Sequence, residues 1–431
     1  MENRKFARGH FLEARIRAGT VLVLLVMAII TTVTSILFLP DFLSRSTRES
    51  PSITVENVYS PVTSLDQLDN GTSWAPMESY ALSPSLESEL AGDDVHGNLY
   101  APDIFVENGL YMMWYGAQGR DGHDAIHLAT SFDGFHWKKY GMVIETGQNN
   151  HVNDPSVVKV NGTYYMYYTV APVDEIDEIW VATSLDGFHW DIHGKVIGQS
   201  ITGWDSLKIG RPSVLFMENE FKLWFDGMEK DPVDPTKPKQ GTGRHVGYAT
   251  SVDGFIWEKW LGNPIFNYSG AIDVEYIDGR YVVVEESGGG VLWRVGNNET
   301  SFDTHPRSLF PKQGTSFDQF GHVTPFILLE GGAWVATYTG AATWSTWNRN
   351  RISTWYPILN VTASMDGSAI TPRWAASATR LKWSLERNNA NSQVTITFVR
   401  GMTLVDQVSM DFPMGESRWI FLPASGTLVA L

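Results

Sequence analysis

One stretch of sequence recurs along this chain and restricts what the chain can fold into. Residues 151–190 read HVNDPSVVKVNGTYYMYYTVAPVDEIDEIWVATSLDGFHW. Runs of β-branched and aromatic residues, separated by the turn sequences Asn161-Gly162 and Asp186-Gly187, predict three strands and the start of a fourth. Four antiparallel strands that end in a tryptophan are typical of one blade of a β-propeller.

The stretch is repeated in a fixed register. One aligned position stands nine residues before an aromatic residue in each copy, and it is occupied by Pro102, Pro155, Pro212, Ile272 and Pro325. The sequence ATSxDGxxW follows at 129–137, 182–190 and 249–257, with the fainter copies NETSFDTH at 298–305 and TASMDG at 362–367. Five copies at the length of one blade predict an all-β, five-bladed propeller. Its first strands should lie near 102–107, 155–160, 212–217, 272–277 and 325–330.

The aspartates of the repeated SxDG sequence have a predicted structural role. Aspartate side chains accept hydrogen bonds from the backbone a few residues further on and so fix tight turns. We therefore expect turn-forming hydrogen bonds from Asp133, Asp186, Asp253 and Asp366.

The flanks of the repeats indicate a membrane anchor. Residues 18–40 are apolar, carry no charge and are long enough to span a bilayer, and five basic residues precede them. A cleaved signal peptide is the alternative. The predicted organisation is a cytoplasmic basic tail (1–17), a transmembrane signal anchor (18–40), a stalk (41–70), the propeller (71–375) and a C-terminal β extension or closure (376–431). The propeller would be extracellular or lumenal, with glycosylation sequons at Asn70, Asn161, Asn267, Asn298 and Asn360.

The composition argues against nucleic acid as a partner and excludes cysteine chemistry. The net charge of −16 repels phosphate backbones, so nucleic acid is not an expected partner. The chain contains no cysteine, which excludes disulfides, thiolate metal sites and a cysteine nucleophile.

Charged residues collect where the first strands begin. Counted from the aligned position, Asp154 and Arg211 are at −1, Asp103 and Asp273 at +1, and Glu275 at +3. Side chains alternate along a strand, so these five should face one mouth of the central channel. Crowded carboxylates acquire different pKa values, which can create an acid and a base. The alternative is a polar channel that binds water or an ion.

Asp154 is the residue on which the site prediction depends most. Pro155 should favour an extended backbone at Asp154, and Arg211 should keep the pKa of Asp154 low. Glu275 has no basic neighbour in its register and should be protonated more easily.

Asn153-Asp154-Pro155, followed by a hydrophobic strand and GTYYMYYT, resembles the Asp-Pro motif of five-bladed glycoside hydrolases. This is the superfamily of arabinanases, β-xylosidases, levansucrases and invertases, including glycoside hydrolase families 43 and 32. The resemblance implies that Asp154 is the base or nucleophile and that Asp103, by blade register, orients it. Asp273 joins them as a further catalytic candidate. Gly210-Arg211-Pro212 stands where the family has its acid motif, which leaves Glu275 as the acid.

Loops between second and third strands open on the same face and supply further candidates. Trp344 and Trp347 are expected to stack on sugars, and His123 to bind substrate. His123, His151 and His322 are alternative acids. No cofactor is required, although the channel could hold a structural Ca²⁺ ion with His322 as a ligand.

The sequence leaves several functions open. The leading interpretation is a membrane-anchored glycoside hydrolase that acts on an oligo- or polysaccharide. The alternatives are a glycoside phosphorylase in which Arg211 binds phosphate, a non-catalytic glycan-binding propeller, and a scaffold for protein partners.

Overall fold

A computed structural model describes most of residues 53–430. The exceptions are residues 60, 70–71, 78, 91–96, 173–175, 316, 343–348, 366–371, 375–379, 385–391, 401–402, 413–416 and 422–428.

The described chain is almost entirely β-structure. It begins with β1 (Ile53–Tyr59), the short helix α1 (Leu65–Asp69), β2 (Ser73–Pro76) and a 3₁₀ turn (Glu87–Glu89).

Five antiparallel modules follow, each built around the predicted repeat. Module 1 has β3 (Asn98–Glu107), β4 (Leu110–Gln118), β5 (Asp124–Ser131) and β6 (Lys138–Ile144). Module 2 has β7 (His151–Val160), β8 (Thr163–Ala171), β9 (Glu178–Ser184) and β10 (Asp191–Ile197). Module 3 has β11 (Lys208–Met217), β12 (Glu220–Met228), β13 (His245–Ser251), β14 (Glu258–Lys259) and β15 (Phe266–Asn267).

The last two modules differ in their outer strands. Module 4 has β16 (Ile272–Ile277), β17 (Arg280–Ser287), β18 (Gly290–Asn298), β19 (Ser301–Phe302) and β20 (Arg307–Pro311). Module 5 has β21 (His322–Glu330), β22 (Ala333–Ala342) and β23 (Asn350–Met365). The first strand of every module contains the range predicted for it.

The chain ends in further strands. They are β24 (Pro372–Trp374), β25 (Arg380–Ser384), β26 (Ser392–Arg400), β27 (Thr403–Phe412), β28 (Ser417–Phe421) and β29 (Val429–Ala430). Two compact units result. One comprises residues 76–356, and the other combines the described residues up to Ala75 with those from Pro357 onward. Within the second unit, β26 pairs with both β27 and the end of β23, and β25 pairs with β24 and β28.

The hairpin between the first two strands is the same in all five modules. Both turn residues have positive φ, as a two-residue type I′ turn requires. The turns are Asn108-Gly109, Asn161-Gly162, Glu218-Asn219, Asp278-Gly279 and Gly331-Gly332. The predicted turn at Asn161-Gly162 is confirmed.

The SxDG turns also form as predicted. Asp133 Oδ1 accepts hydrogen bonds from the backbone N–H groups of Phe135 and His136, both at 2.8 Å. Asp186 and Asp253 repeat this arrangement in modules 2 and 3. Asp366 lies outside the described residues.

These turns also join neighbouring modules. Tyr167 of module 2 donates a hydrogen bond to the carbonyl of Gly254 in the module 3 turn at 2.8 Å. Tyr338 of module 5 donates to the carbonyl of Gly134 in module 1, also at 2.8 Å. The last module therefore contacts the first through the same kind of bond that joins modules 2 and 3.

No helix within the described residues is long and apolar enough to cross a membrane. Residues 18–40, the predicted anchor, lie outside that part of the chain.

Candidate active site

A β-bulge lies near the start of the first strand in four of the five modules. The residue at position −1 has a positive φ in every module, at Ala101, Asp154, Arg211, Ala271 and Thr324, with values of 46–50°. The extended backbone predicted for Asp154 is therefore wrong, since its φ is +50°. A left-handed conformation costs a non-glycine residue roughly 1–2 kcal/mol, so the surrounding sheet must impose it. The strand register shifts at the same point in modules 1, 2, 3 and 5.

The bulges surround one small cavity. It is lined by positions −1, 0 and +1 of four modules and by positions −1 and 0 of module 3, and Asp103, Asp154, Arg211 and Asp273 are among these residues. Three successive residues cannot face one side of a regular strand, so the alternation argument does not explain this convergence. The cavity volume is about 30 Å³, far below the roughly 300–1,000 Å³ of small-molecule sites. A sugar would have to bind above the cavity.

Side chains at position +1 connect adjacent first strands. Asp103 accepts a hydrogen bond from Val157 N at 3.2 Å, and Asp273 accepts one from Ile327 N at 2.8 Å. Ser156 and Ser213 do the same for Val214 and Val274. Asp103 and Asp273 therefore connect neighbouring first strands. Their catalytic role stays a prediction.

A second set of links comes from the second strands, which the sequence analysis did not consider. The relevant position lies fourteen residues after the aligned position in modules 1 to 4 and fifteen in module 5. It is occupied by Gly116, Thr169, Asp226, Glu286 and Gly340. Where this residue has a polar side chain, that side chain accepts a hydrogen bond from position −1 of the next module, as Thr169 does from Arg211 N and Asp226 from Ala271 N.

Two arginines and three acids form the mouth cluster, defined as Asp154, Arg211, Asp226, Arg244 and Glu286. Arg211 donates from Nε and Nη2 to the two Asp226 oxygens at 2.6 and 2.8 Å. Arg244 Nη1 lies 3.1 Å from Glu286 and 3.8 Å from Asp226. The Arg211 side chain is 14% exposed, whereas the Arg244 side chain is 31% exposed. Arg244 is thus the more accessible cation.

The pKa values of the three acids of this cluster are shifted in different directions. Burial raises the pKa of Asp154 to about 6, although Arg211 opposes the shift. The prediction of a low pKa for Asp154 is therefore wrong, because desolvation outweighs the guanidinium. Burial also raises the pKa of Glu286 to about 7, against the influence of Arg244. Burial disfavours ionised Asp226 too, but Arg211 and Arg244 outweigh it and lower the pKa of Asp226.

Glu275 belongs to a different group, the axial carboxylates Asp103, Asp273 and Glu275. Glu275 follows Asp273 by two residues on the regular strand β16 and shares its face, about 7 Å further along. Burial, then Asp273 and Asp103, raise the pKa of Glu275 well above its ordinary value. Glu275 therefore interacts with these carboxylates, and it does not line the cavity beside Asp154.

The predicted histidines have separate surroundings. His123 is exposed, and its Nδ1 lies 2.7 Å from the carbonyl of Asn150. His151 Nδ1 lies 2.7 Å from Asp124. His322 is buried, with Nε2 3.1 Å from Asp318. No three metal-ligating side chains group together in the part of the chain that the structure describes, so His322 has no ligand set there. Trp344 and Trp347 lie outside the described residues.

Known proteins resemble parts of this chain. Residues 53–231 match the family described as beta-1,4-mannooligosaccharide phosphorylase. A 1,2-beta-oligomannan phosphorylase from Thermoanaerobacter sp. (strain X514) is 28% identical over 143 residues, which are 33% of this chain and 44% of that protein. The chain thus aligns with less than half the length of this relative.

Solved structures share the fold. A family 117 glycoside hydrolase from Zobellia galactanivorans superimposes with a TM-score of 0.52 at 14% identity, covering 67% of this chain and 91% of that one. A glycosyl hydrolase from Bacteroides ovatus gives a TM-score of 0.51 at 16% identity, covering 66% and 94%. Together with the matched family and the Asp-Pro repeats, these similarities place the chain in the propeller glycoside hydrolase-like superfamily.

Proposed function

We propose that this chain is a glycoside phosphorylase that acts on β-linked mannooligosaccharides at its mouth cluster. One observation carries the proposal: the mouth cluster combines the buried acid Asp154, whose pKa is raised to about 6, with two arginines, of which Arg244 is partly exposed. The substrate class comes from the names of the matched family and relative.

Asp154 is assigned as the general acid. Phosphate is itself the nucleophile, so phosphorolysis needs only a proton donor for the departing oxygen. A phosphate oxygen would attack the anomeric carbon as the glycosidic C–O bond breaks, and Asp154 would protonate the leaving oxygen. A pKa of about 6 leaves a fraction of Asp154 protonated at neutral pH, which suits this role.

Arg244 is assigned as the main phosphate ligand. Arg211 already makes two charge-assisted hydrogen bonds to Asp226, so that pair is largely neutralised. Arg244 makes its closest contact with Glu286, whose pKa of about 7 allows it to accept a proton as phosphate arrives. Phosphate would replace Glu286 as the partner of Arg244.

Hydrolysis is the second candidate, and Glu286 supports it. Its raised pKa suits an acid, and Asp154 could then act as a base for water, provided the two carboxyls lie roughly 6.5–9.5 Å apart for inversion. This pair replaces the predicted pair of Asp154 and Glu275, since Glu275 is grouped with the axial carboxylates.

The deciding experiment incubates the full-length chain with β-1,2- and β-1,4-linked mannooligosaccharides, with and without inorganic phosphate. We expect mannose 1-phosphate, formed only with phosphate. Free mannose at equal rates under both conditions would favour hydrolysis. Binding without any product would favour the non-catalytic glycan-binding alternative.

A variant tests the phosphate ligand directly. Arg244→Gln should raise the KM for phosphate more than tenfold while the KM for glycan changes little. Arg307→Gln, which removes a partly exposed arginine from the outer strand β20, is the matched control. An unchanged KM for phosphate in Arg244→Gln would refute the assignment.

We further infer that the five modules are the blades of a five-bladed propeller. The five repeats and the bond between Tyr338 and Gly134 support this. An experimental structure with another blade number would refute it.

We also propose that residues 18–40 anchor the protein in a membrane, with the catalytic unit extracellular or lumenal. The apolar run and the basic residues before it support this topology. Release of the full-length chain by carbonate washing of membranes would contradict it.

A further inference from the structure

A second concave site lies beside the mouth cluster in modules 1 and 2. Its volume is about 500 Å³, within the range of roughly 300–1,000 Å³ that is usual for small-molecule sites. The walls come from the loop between β4 and β5 and from the connection between β6 and β7. Its lining includes His123, Met142, Glu145, Gln148 and Asn149. We call it the outer groove.

The outer groove opens near the same end of the first strands as Asp154. Asp124, which follows His123, pairs with His151 in the sole β5–β7 bridge described, and His151 follows the lining residue Asn150. Asp154 comes three residues after His151, about 10 Å along an extended strand. An oligosaccharide bound above Asp154 could therefore reach the groove.

Polar side chains connect the two places. His151 Nδ1 lies 2.7 Å from Asp124, and Asn153 donates a hydrogen bond to the Tyr100 hydroxyl at 2.8 Å. Tyr100 interacts electrostatically with both Asp124 and Asp154. The residues between the groove and the mouth are thus polar and connected to one another.

The lining of the groove selects against other ligands. Amides and an imidazole line it together with Met142, so a purely hydrophobic ligand would leave polar groups unpaired. Asp121 and Glu145 contribute charge, but no metal-binding group of three side chains exists in the described residues. Polar and apolar surface in similar amounts suits a sugar, which carries both hydroxyl groups and apolar C–H faces.

His123 has a defined role in such a site. Its Nδ1 lies 2.7 Å from the carbonyl of Asn150, so Nδ1 carries the proton and Nε2 is the acceptor in the neutral ring. This contact orients an exposed imidazole on the groove wall. A sugar hydroxyl could donate to Nε2.

We propose that the outer groove binds the sugar units of the oligosaccharide that lie beyond the bond being cleaved. The identity of the glycan rests on the proposed function, but the binding itself does not. Recognition of longer chains would then depend on His123 and Gln148.

The test measures KM for mannooligosaccharides of two to four units at saturating phosphate. His123→Ala and Gln148→Ala should each raise the ratio of tetrasaccharide KM to disaccharide KM at least fivefold. His189→Ala is the matched control, because this exposed imidazole lies at the turn between β9 and β10, at the opposite end of the strands. Ratios equal to wild type in both groove variants would overturn the proposal.

A binding measurement separates this proposal from the proposed function. Calorimetry with the same tetrasaccharide, in the Asp154→Asn background, needs no turnover. Weaker binding on adding His123→Ala supports the groove even if no phosphorolysis is ever detected. Phosphorolysis with unchanged tetrasaccharide affinity in both groove variants would retain the function and refute the groove.

Discussion

Arg211 and Asp226 form a bidentate ion pair at the mouth of the channel, with N–O distances of 2.6 and 2.8 Å. Asp226 also accepts a hydrogen bond from Ala271 N at 2.8 Å, so this carboxylate joins modules 3 and 4. The pair therefore supports both the local charge balance and the arrangement of first strands around the cavity.

Replacement of Asp226 should destabilise the protein. Asp226→Asn leaves the largely buried Arg211 guanidinium without its bidentate partner, and loss of one partner of such a pair costs about 3–5 kcal/mol. Urea unfolding measures the change. The double variant Arg211→Gln/Asp226→Asn should be less destabilised than the sum of the two single variants. Additive effects would mean that the pair contributes nothing.

Asp154→Asn should abolish most catalysis and retain the fold. Asparagine keeps the shape of the side chain and removes the acid, so kcat should fall by about 10²–10⁴-fold. Glycan affinity, measured by calorimetry, should change little. Asp191→Asn, an exposed carboxylate on β10, is the matched control. Full activity of Asp154→Asn would remove it from the mechanism.

The free energy of unfolding should depend on pH because buried carboxyl groups titrate. Burial raises the pKa of Asp273 to about 6, so the folded state binds its proton more tightly than the unfolded chain does. The stabilisation that this tighter proton binding gives the fold is complete below the pKa of Asp273 in the unfolded chain, near 4. It is lost as the pH rises through 6.

Buried histidines change the free energy of unfolding with pH in the opposite direction to Asp273. The measurement therefore compares a variant with the wild type. Burial lowers the pKa values of His127 and His322, which destabilises the fold as the pH falls below about 6.5. Relative to the wild type, Asp273→Asn should gain about 1–3 kcal/mol in unfolding free energy between pH 5 and pH 8. Parallel pH profiles would show that Asp273 does not titrate in this range.

The SxDG turns should contribute to stability independently of one another. Asp133→Ala removes the acceptor for two backbone N–H groups in a partly exposed turn, and we expect a loss of about 1–2 kcal/mol. Asp253→Ala, in a distant module, should add to it within roughly 0.5 kcal/mol. Thermal or urea unfolding checks both values, and Asp191→Ala supplies the control. No loss in either variant would contradict the role assigned to these aspartates.

Local sequence determined the elements that repeat. A type I′ turn such as Asn161-Gly162 and the Asp133 turn depend on residues only a few positions apart, so their conformation follows from the sequence itself. The fixed spacing of the aligned residues likewise determined where the first strands lie. The superfamily followed from the same motifs.

Only the tertiary structure decided which side chains meet. Asp226 and Glu286 lie fourteen residues after their aligned positions, a spacing that was readable, but their partner Arg244 comes from the long insert between β12 and β13. No local pattern shows that contact.

The state of Asp154 was also decided by the tertiary structure. Its positive φ is imposed by the sheet against the preference of a residue before proline. Its pKa depends on the sum of burial and the Arg211 charge, and the sequence reveals the charge but not the burial. Desolvation is a property of the assembled modules, which is why the sign of this shift could not be predicted from the chain alone.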